Sequence, residues 1–217
     1  AWGPDIYLVN SNTILVSKCT STNSGQSIRL SSTTDSIIDF LYTTGNKHDA
    51  IATDGGATTK RMIIRNCSFN NGSSTQNAMI YSDTDMNDSI ITENTFTNLG
   101  SISGIYFLNL KTMLINNNWF NQNAGTIYPM ISLDNISKIS MTGNFIGSAG
   151  SDGIKLGTIN GVSSFCNITW NLINNNTGYG VNIVGGTSIA VVGNAINGNT
   201  AGTTNNGGTL NVIASNS

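Results

Sequence analysis

The most regular feature of the chain is a pair of short alternating apolar runs that returns about every 25 residues. In the run IYFLN the apolar pair is Ile105 and Phe107, and in the following run TMLIN it is Met113 and Ile115. A period of two places alternate side chains on one face of a strand. The pattern therefore predicts short strands throughout, because helical spacing of apolar residues is weak everywhere.

The runs belong to a sequence repeat. Segment 6–19 lies over segment 105–118 without a gap, at a constant offset of 99 residues. Further copies follow in the same frame, and the nine predicted starts are Ile6, Ile28, Ile51, Met79, Ile105, Ile131, Ile154, Val181 and Leu210. Their mean spacing is about 25.5 residues. A fixed period of this length is typical of a stacked repeat architecture.

One position in each repeat, three residues after the second apolar pair, is a small polar residue or a thiol: Cys19, Cys67, Asn94, Asn118, Asn144, Asn171 and Asn194. If equivalent strands stack about 4.8 Å apart, Asn side chains at this position can hydrogen-bond along the stack. Cys19 and Cys67 would then be two coils apart, about 9.6 Å, which exceeds the Cα reach of a disulfide. We therefore expect free, buried thiols there, and a core thiol at Cys166, which aligns with Met113 and Ile139.

A coil of this length, with two or three short strands and Asn at a recurrent corner, resembles the right-handed parallel β-helix of the phage tailspike and pectate-lyase-like kind. The resemblance covers nearly the whole chain, and the signatures of leucine-rich, WD40 and calcium-binding nonapeptide repeats are absent. It implies an all-β, single-stranded parallel solenoid of about eight to nine coils. Residues 1–217 are expected to form one such domain, as a segment of a longer or multi-chain fibre.

Composition narrows the range of partners. Only 9% of the residues are charged and the net charge is −2, so no basic field is present and nucleic-acid binding is not expected. No run of eighteen apolar residues occurs, so membrane insertion is not expected either. In a stack, like charges would align and repel, whereas the 33 Asn can bond to their own equivalents. Asp35, Arg61 and Asp88 share one register with alternating sign, which predicts an ion-pair ladder.

An outward apolar band follows from the same alignment. The residues in the middle of the second strand are apolar in five consecutive coils, and in later coils the residue after the corner becomes apolar instead; the band comprises Leu15, Ile37, Ile63, Ile90, Leu114, Trp119, Phe145 and Leu172. A band of this length exceeds what monomers normally expose and indicates an interface. We expect self-association through it, the alternative being that another helix or loop covers it.

Three-fold bundles of parallel β-helices are the architecture of phage tailspikes, which the chain resembles in coil length, in its Asn, Ser, Thr and Gly content and in its outer band. The resemblance implies a homotrimer in the virion tail, outside the cell, with other tail proteins and a host surface polysaccharide as partners. The leading hypothesis is host attachment by a tail fibre or tailspike domain. The alternatives are a free-standing polysaccharide lyase, hydrolase or epimerase of the same fold, and a cell-surface adhesin.

Carboxylates are the candidate catalytic groups, because the resemblance implies that any activity is polysaccharide depolymerisation by a glycoside hydrolase or a lyase. Asp83 and Asp85 lie in the loop YSDTDMNDS, and Asp54 lies in the insertion-bearing coil before it, so a shared groove can form. The alternative is that these Asp residues only stabilise turns. Nothing resembles an ordered set of metal ligands, and neither a metal nor a cofactor is expected.

Glycan binding requires aromatic platforms and hydrogen-bonding groups. Tyr7, Tyr106 and Lys155 share one outward register on the first strand, and Arg29 lies beside Tyr7. These four residues form a predicted sugar-facing wall. The alternative is that they are ordinary strand surface.

Overall fold

The computed structural model describes residues 3–54, 58–70, 72, 78–83, 86–121, 127–157 and 163–217. Within these ranges the chain is a right-handed parallel solenoid of about eight turns, with about 24 residues per turn and no helix. Each turn contributes a first strand, a second strand and, in most turns, a separate short third strand. The all-β solenoid predicted from the repeat is therefore confirmed.

The first strands of successive turns pair in parallel to form a nine-stranded sheet. These strands are β1 (Pro4–Val9), β3 (Gln26–Ser31), β5 (Ile51–Thr53), β8 (Ala78–Ser82), β11 (Ser103–Leu108), β14 (Ile131–Asp134), β17 (Ile154–Leu156), β21 (Tyr179–Ile183) and β25 (Gly202–Asn206).

The remaining seventeen described strands form one sheet that bends at a corner in each turn. Most of these strands lie before the corner, and the first two of them continue round it. The strands before the corner are β2 (Leu15–Thr22), β4 (Ile37–Thr44), β6 (Ile63–Arg65), β9 (Ser89–Thr92), β12 (Lys111–Asn116), β15 (Ser137–Thr142), β18 (Ser163–Ser164), β19 (Asn167–Thr169), β22 (Gly186–Thr187), β23 (Ala190–Val192) and β26 (Val212–Ala214). Those after the corner are β7 (Ser68–Asn70), β10 (Thr95–Thr97), β13 (Trp119–Asn121), β16 (Phe145–Gly147), β20 (Leu172–Asn174) and β24 (Ala195–Asn197).

Two of the nine predicted starts are wrong. Ile80 pairs with both Ile51 and Ile105, so the fourth coil begins one residue after Met79. The run AMI is apolar at every position, which hides the alternation from the sequence. The first strand of the last coil is β25, where Thr204 pairs with Val181. Leu210, the predicted start, lies at a later corner. The alignment missed this strand because it carries Thr and Asn instead of apolar residues.

Left-handed backbone at the corner makes the second sheet bend. The corner residue that precedes Cys67 or the recurrent Asn has a φ between 54° and 69° in six consecutive coils, at Asn66, Glu93, Asn117, Gly143, Trp170 and Gly193. Asn and Gly tolerate this conformation better than other residues. The need for such corners explains part of the Asn and Gly content of the chain.

The recurrent Asn residues form a buried ladder, as the alignment predicted. The Asn118 amide donates to Oδ1 of Asn144 at 3.0 Å and to the Ile91 carbonyl of the preceding coil at 3.0 Å. The backbone N–H of Asn118 donates to the same Oδ1 at 3.0 Å. The same bonding recurs at Asn94, Asn144, Asn171 and Asn194. The ladder satisfies backbone groups inside the solenoid at every turn, which burial requires.

The core is apolar and stacked in the same way. The rings of Phe69, Phe96 and Phe120 are fully buried, with centroids 4.7 Å and 4.4 Å apart along the stack. Cys67 and Cys166 are buried free thiols, and burial raises the pKa of each to about 11, so both are protonated at neutral pH. Cys19 is also free, as the coil spacing predicted, but it is half-buried and not buried as expected.

The predicted ion-pair ladder is confirmed in part. Arg61 donates two hydrogen bonds to the Asp35 carboxylate, at 2.5 and 2.6 Å. Asp88 occupies the equivalent left-handed corner of the next coil, but the ion pairs found among the described residues do not include it. The charge of Asp88 also raises the pKa of Arg61, but by less than the hydrogen bond and the charge of Asp35 do.

Candidate functional site

A row of side chains that alternates with the core-facing residues runs along the first sheet, one residue from each coil; Ala52 and Ser132 in this row are buried, and the other members are half-buried or exposed. Strand pairing places in this row Tyr7, Arg29, Ala52, Tyr81, Tyr106, Ser132, Lys155, Asn182 and Asn205. All four predicted glycan-binding residues therefore share one row, which we call the first-sheet wall. Their role in binding stays a prediction.

Tyr81 is an aromatic member of the wall that the sequence did not reveal. It pairs with Tyr106 of the next coil, with ring centroids 5.7 Å apart and planes inclined by 55°. Both rings are partly buried. The only sequence signal was its place directly after Ile80, which the wrong start at Met79 concealed. The two tyrosines form an aromatic platform across neighbouring coils.

A second row, two residues further along the strands, carries carboxylates. Asp54 follows Thr53 and Asp83 follows Ser82, and the hydroxyl oxygens of Thr53 and Ser82 are 2.8 Å apart. Asp54 and Asp83 therefore occupy neighbouring positions on coils about 4.8 Å apart. The structure thus brings together two of the three catalytic candidates. The third, Asp85, lies outside the described residues.

Asp54 is bound by two residues of the first-sheet wall. The Tyr7 hydroxyl donates to one carboxylate oxygen and Nε of Arg29 donates to the other. Partial burial raises the pKa of Asp54, but the hydrogen bonds from Tyr7 and Arg29 and the charge of Arg29 outweigh it, so the pKa lies below its usual range. Asp54 is therefore ionised at neutral pH and cannot serve as a proton donor.

The platform tyrosines stay neutral. Burial raises the pKa of Tyr81, and the charge of Asp83 raises it further. Burial likewise raises the pKa of Tyr106, with a contribution from Asp134. Both residues thus present hydroxyl groups that donate and accept hydrogen bonds at neutral pH.

Neither a metal cluster nor a membrane-spanning helix occurs in the described ranges. No three His, Cys, Asp or Glu side chains in this part of the chain are grouped so as to hold a metal ion. No helix there has the length and hydrophobicity to cross a membrane.

The predicted apolar band divides into two surfaces. The first, which we call the aliphatic ladder, is an outward row on the second strands: Leu15, Ile37, Ile63, Ile90 and Leu114. Leu15 is 63% exposed and the other four residues are half-buried. Beyond Leu114 the row continues with Ser140 and is polar there, as the sequence indicated.

The second surface lies on the other side of the corner. Trp119, Phe145 and Leu172 pair in register on β13, β16 and β20, and the first two rings stack at 3.9 Å with planes 10° apart. Trp170, which the sequence reading did not single out, projects from the adjacent corner and is 74% exposed. We call these four residues the aromatic cluster. Within the described segments, the side chains of the aromatic cluster differ in their exposure to solvent.

The repeat can be compared with known proteins now that its geometry is established. The family model for the right-handed β-helix region matches residues 2–130, which is more than half of the chain. No curated protein matches the chain. Strand pairing continues without change of direction beyond residue 130, through β26. The chain therefore belongs to the right-handed β-helix family.

Proposed function

We propose that the chain is an oligomeric β-helical domain of the phage tail fibre or tailspike kind, which attaches to a host by binding a surface polysaccharide. The observation that carries the proposal is the first-sheet wall. Its centre is the Tyr81 and Tyr106 platform, and the ionised Asp54 lies beside it. No catalytic step is needed for this function.

The chemistry of the wall suits a glycan. The half-buried phenol rings supply flat apolar surface, and their hydroxyls supply hydrogen bonds. Lys155 lies two coils beyond Tyr106, about 9.6 Å away along the sheet, where its ammonium group could pair with an acidic substituent. A mixed surface of this kind, with a few fixed polar groups around aromatic rings, is typical of ligand sites.

The oligomeric part of the proposal rests on the aliphatic ladder. Five apolar side chains at one outward register form a straight strip across five coils. Contiguous apolar surface of this extent marks protein interfaces. In a closed symmetric oligomer, identical solenoids packed in parallel would bury the strip of each subunit against its neighbours.

The wall is tested by Tyr106→Ala. The protein is first screened on an array of purified bacterial capsular polysaccharides and O-antigens, and the best ligand is then titrated by calorimetry. We expect the variant to bind about tenfold more weakly or worse, the usual effect of truncating a central aromatic anchor.

Tyr42→Ala is the matched control, because Tyr42 is 43% exposed but faces outward from the other sheet. Its affinity should equal that of the wild type. Equal loss in both variants, or no loss in Tyr106→Ala, would remove the wall from the binding site.

A second candidate function, depolymerisation of the bound polysaccharide, is favoured by the neighbouring positions of Asp54 and Asp83. Hydrolysis needs one carboxylate that stays ionised and a second group that transfers a proton. The bonds from Tyr7 and Arg29 suit Asp54 to the first role, which leaves the proton transfer to Asp83.

This second candidate predicts that Asp83→Asn lowers the rate of product formation about a hundredfold or more, because an amide cannot transfer the proton. The assay follows new reducing ends from the polysaccharide identified on the array. Asp88→Asn, at a left-handed corner that Asn tolerates, is the control. Turnover by Asp83→Asn at the wild-type rate, or no product from the wild type, would leave only the binding function.

A further inference from the structure

A cleft of about 370 Å³ opens on the outer corner of the second sheet, away from the first-sheet wall. Three successive corner residues define it: Asn117, Gly143 and Trp170. The stacked rings of Trp119 and Phe145 and the side chain of Leu172 line its other side, together with Asn118 and Asn144. Its volume lies within the range of small-ligand pockets, about 300 to 1,000 Å³.

Gly143 makes room for the Asn117 amide that lines the cleft. Asn117 and Trp170 are two coils apart, about 9.6 Å, and Gly143 occupies the corner between them without a side chain. A Cβ at Gly143 would lie 2.4 Å from Oδ1 of Asn117. The amide of Asn117 is thus folded over Gly143, where it lines the floor of the cleft.

Trp170 is an unusual residue for its position. Its φ of 57° is shared by the equivalent corners, but the two adjacent coils have Gly there. A bulky side chain is disfavoured in this conformation, which Phe40 and Phe165 also adopt at other corners. Because the side chain is 74% exposed, core packing does not account for it.

The indole packs against the coil that follows it. A Cβ at Gly193 would be 3.4 Å from each of three ring carbons of Trp170, so one ring face lies flat against the backbone of that coil. The ring also lines the cleft with Gly143 and Phe145 of the preceding coil. Its second face is therefore presented to whatever enters the cleft.

The lining identifies the chemistry of the occupant. It contains aromatic faces, a leucine, a glycine and the amide of Asn117, and no charged side chain, while the amides of Asn118 and Asn144 belong to the buried ladder. An ion would find no partner of opposite charge there. A ring with an apolar C–H face and peripheral hydroxyl groups matches both the indole and the Asn117 amide, which can donate and accept hydrogen bonds.

We propose that this corner cleft binds an uncharged pyranose unit of a polysaccharide, stacked on the free face of Trp170 and hydrogen-bonded to Asn117. It is a second binding site on a different sheet from the first-sheet wall, and it does not depend on the function proposed for that wall. A second copy of the chain is the less suitable occupant, because the cluster spans only three coils and forms a recess.

The test uses three neutral hexasaccharides, maltohexaose, cellohexaose and mannohexaose, titrated into the whole chain by calorimetry. We expect saturable binding of at least one of them. Trp170→Ala should weaken it about tenfold or more, and Trp170→Phe should weaken it less. Gly143→Asn keeps the indole and tolerates the left-handed backbone, but it fills the cleft and should also weaken binding.

Phe165→Ala is the matched control, because Phe165 is an exposed aromatic residue at another left-handed corner of the same coil. It should bind the hexasaccharide like the wild type. Absence of saturable binding up to about 10 mM, well beyond millimolar affinity, would overturn the proposal. So would unchanged binding by Trp170→Ala, or a Trp170→Ala variant that changes its oligomeric mass instead of its affinity.

Discussion

Asn144→Ala is expected to lower the free energy of unfolding by about 3 to 5 kcal/mol, because it leaves several buried groups without partners. Oδ1 of Asn144 accepts the backbone N–H and the side-chain amide of Asn118, each at 3.0 Å. Its own amide donates to the Ile115 carbonyl and to Asn171, each at 2.9 Å. Each unsatisfied buried group costs about 1 to 3 kcal/mol, and alanine also leaves a void.

Chemical denaturation followed by circular dichroism measures this loss. Asn167→Ala is the control, because Asn167 points outward on β19 and the next coil has Ala190 at the same register. Its effect should stay within about 0.5 kcal/mol, as for most surface substitutions. If the two variants were equally stable, the ladder would not contribute to stability as the hydrogen bonds indicate.

The paired substitution Ile63→Asn with Ile90→Asn is expected to convert the proposed oligomer into monomers. The two residues are neighbours at the centre of the aliphatic ladder, with strand pairing between them. Both isoleucines are already half-buried, so burying the rest of each side chain contributes about 1 kcal/mol, and the dissociation constant should rise about tenfold to a hundredfold. Analytical ultracentrifugation over a range of concentrations measures the change, from a trimer mass to a monomer mass.

The control for this pair is Ser140→Asn, on the same outer row where it is already polar. It should leave the mass of the oligomer unchanged. A wild-type protein that sediments as a monomer would refute self-association through the ladder, and so would a double variant that keeps the wild-type mass. Unchanged far-ultraviolet circular dichroism would show that the solenoid itself is intact.

The repeat made much of this fold predictable because stacking imposes one register on every coil. The buried Asn ladder, the free thiols and the placement of Tyr7 and Tyr106 in one row all follow from aligned positions. The alignment failed where local composition hid the alternation. An apolar run concealed the phase of Tyr81, and polar residues concealed β25.

The amino-acid sequence by itself determined which side chains point inward, which point outward and which stack, since a period of two along the strands and a repeat along the axis leave little freedom. Only the tertiary structure decided what lies beside what around the coil. It joined Asp54 to Tyr7 and Arg29 across three coils and opened a cleft beneath Trp170. Those contacts depend on side-chain direction and corner angle, and no sequence period encodes either.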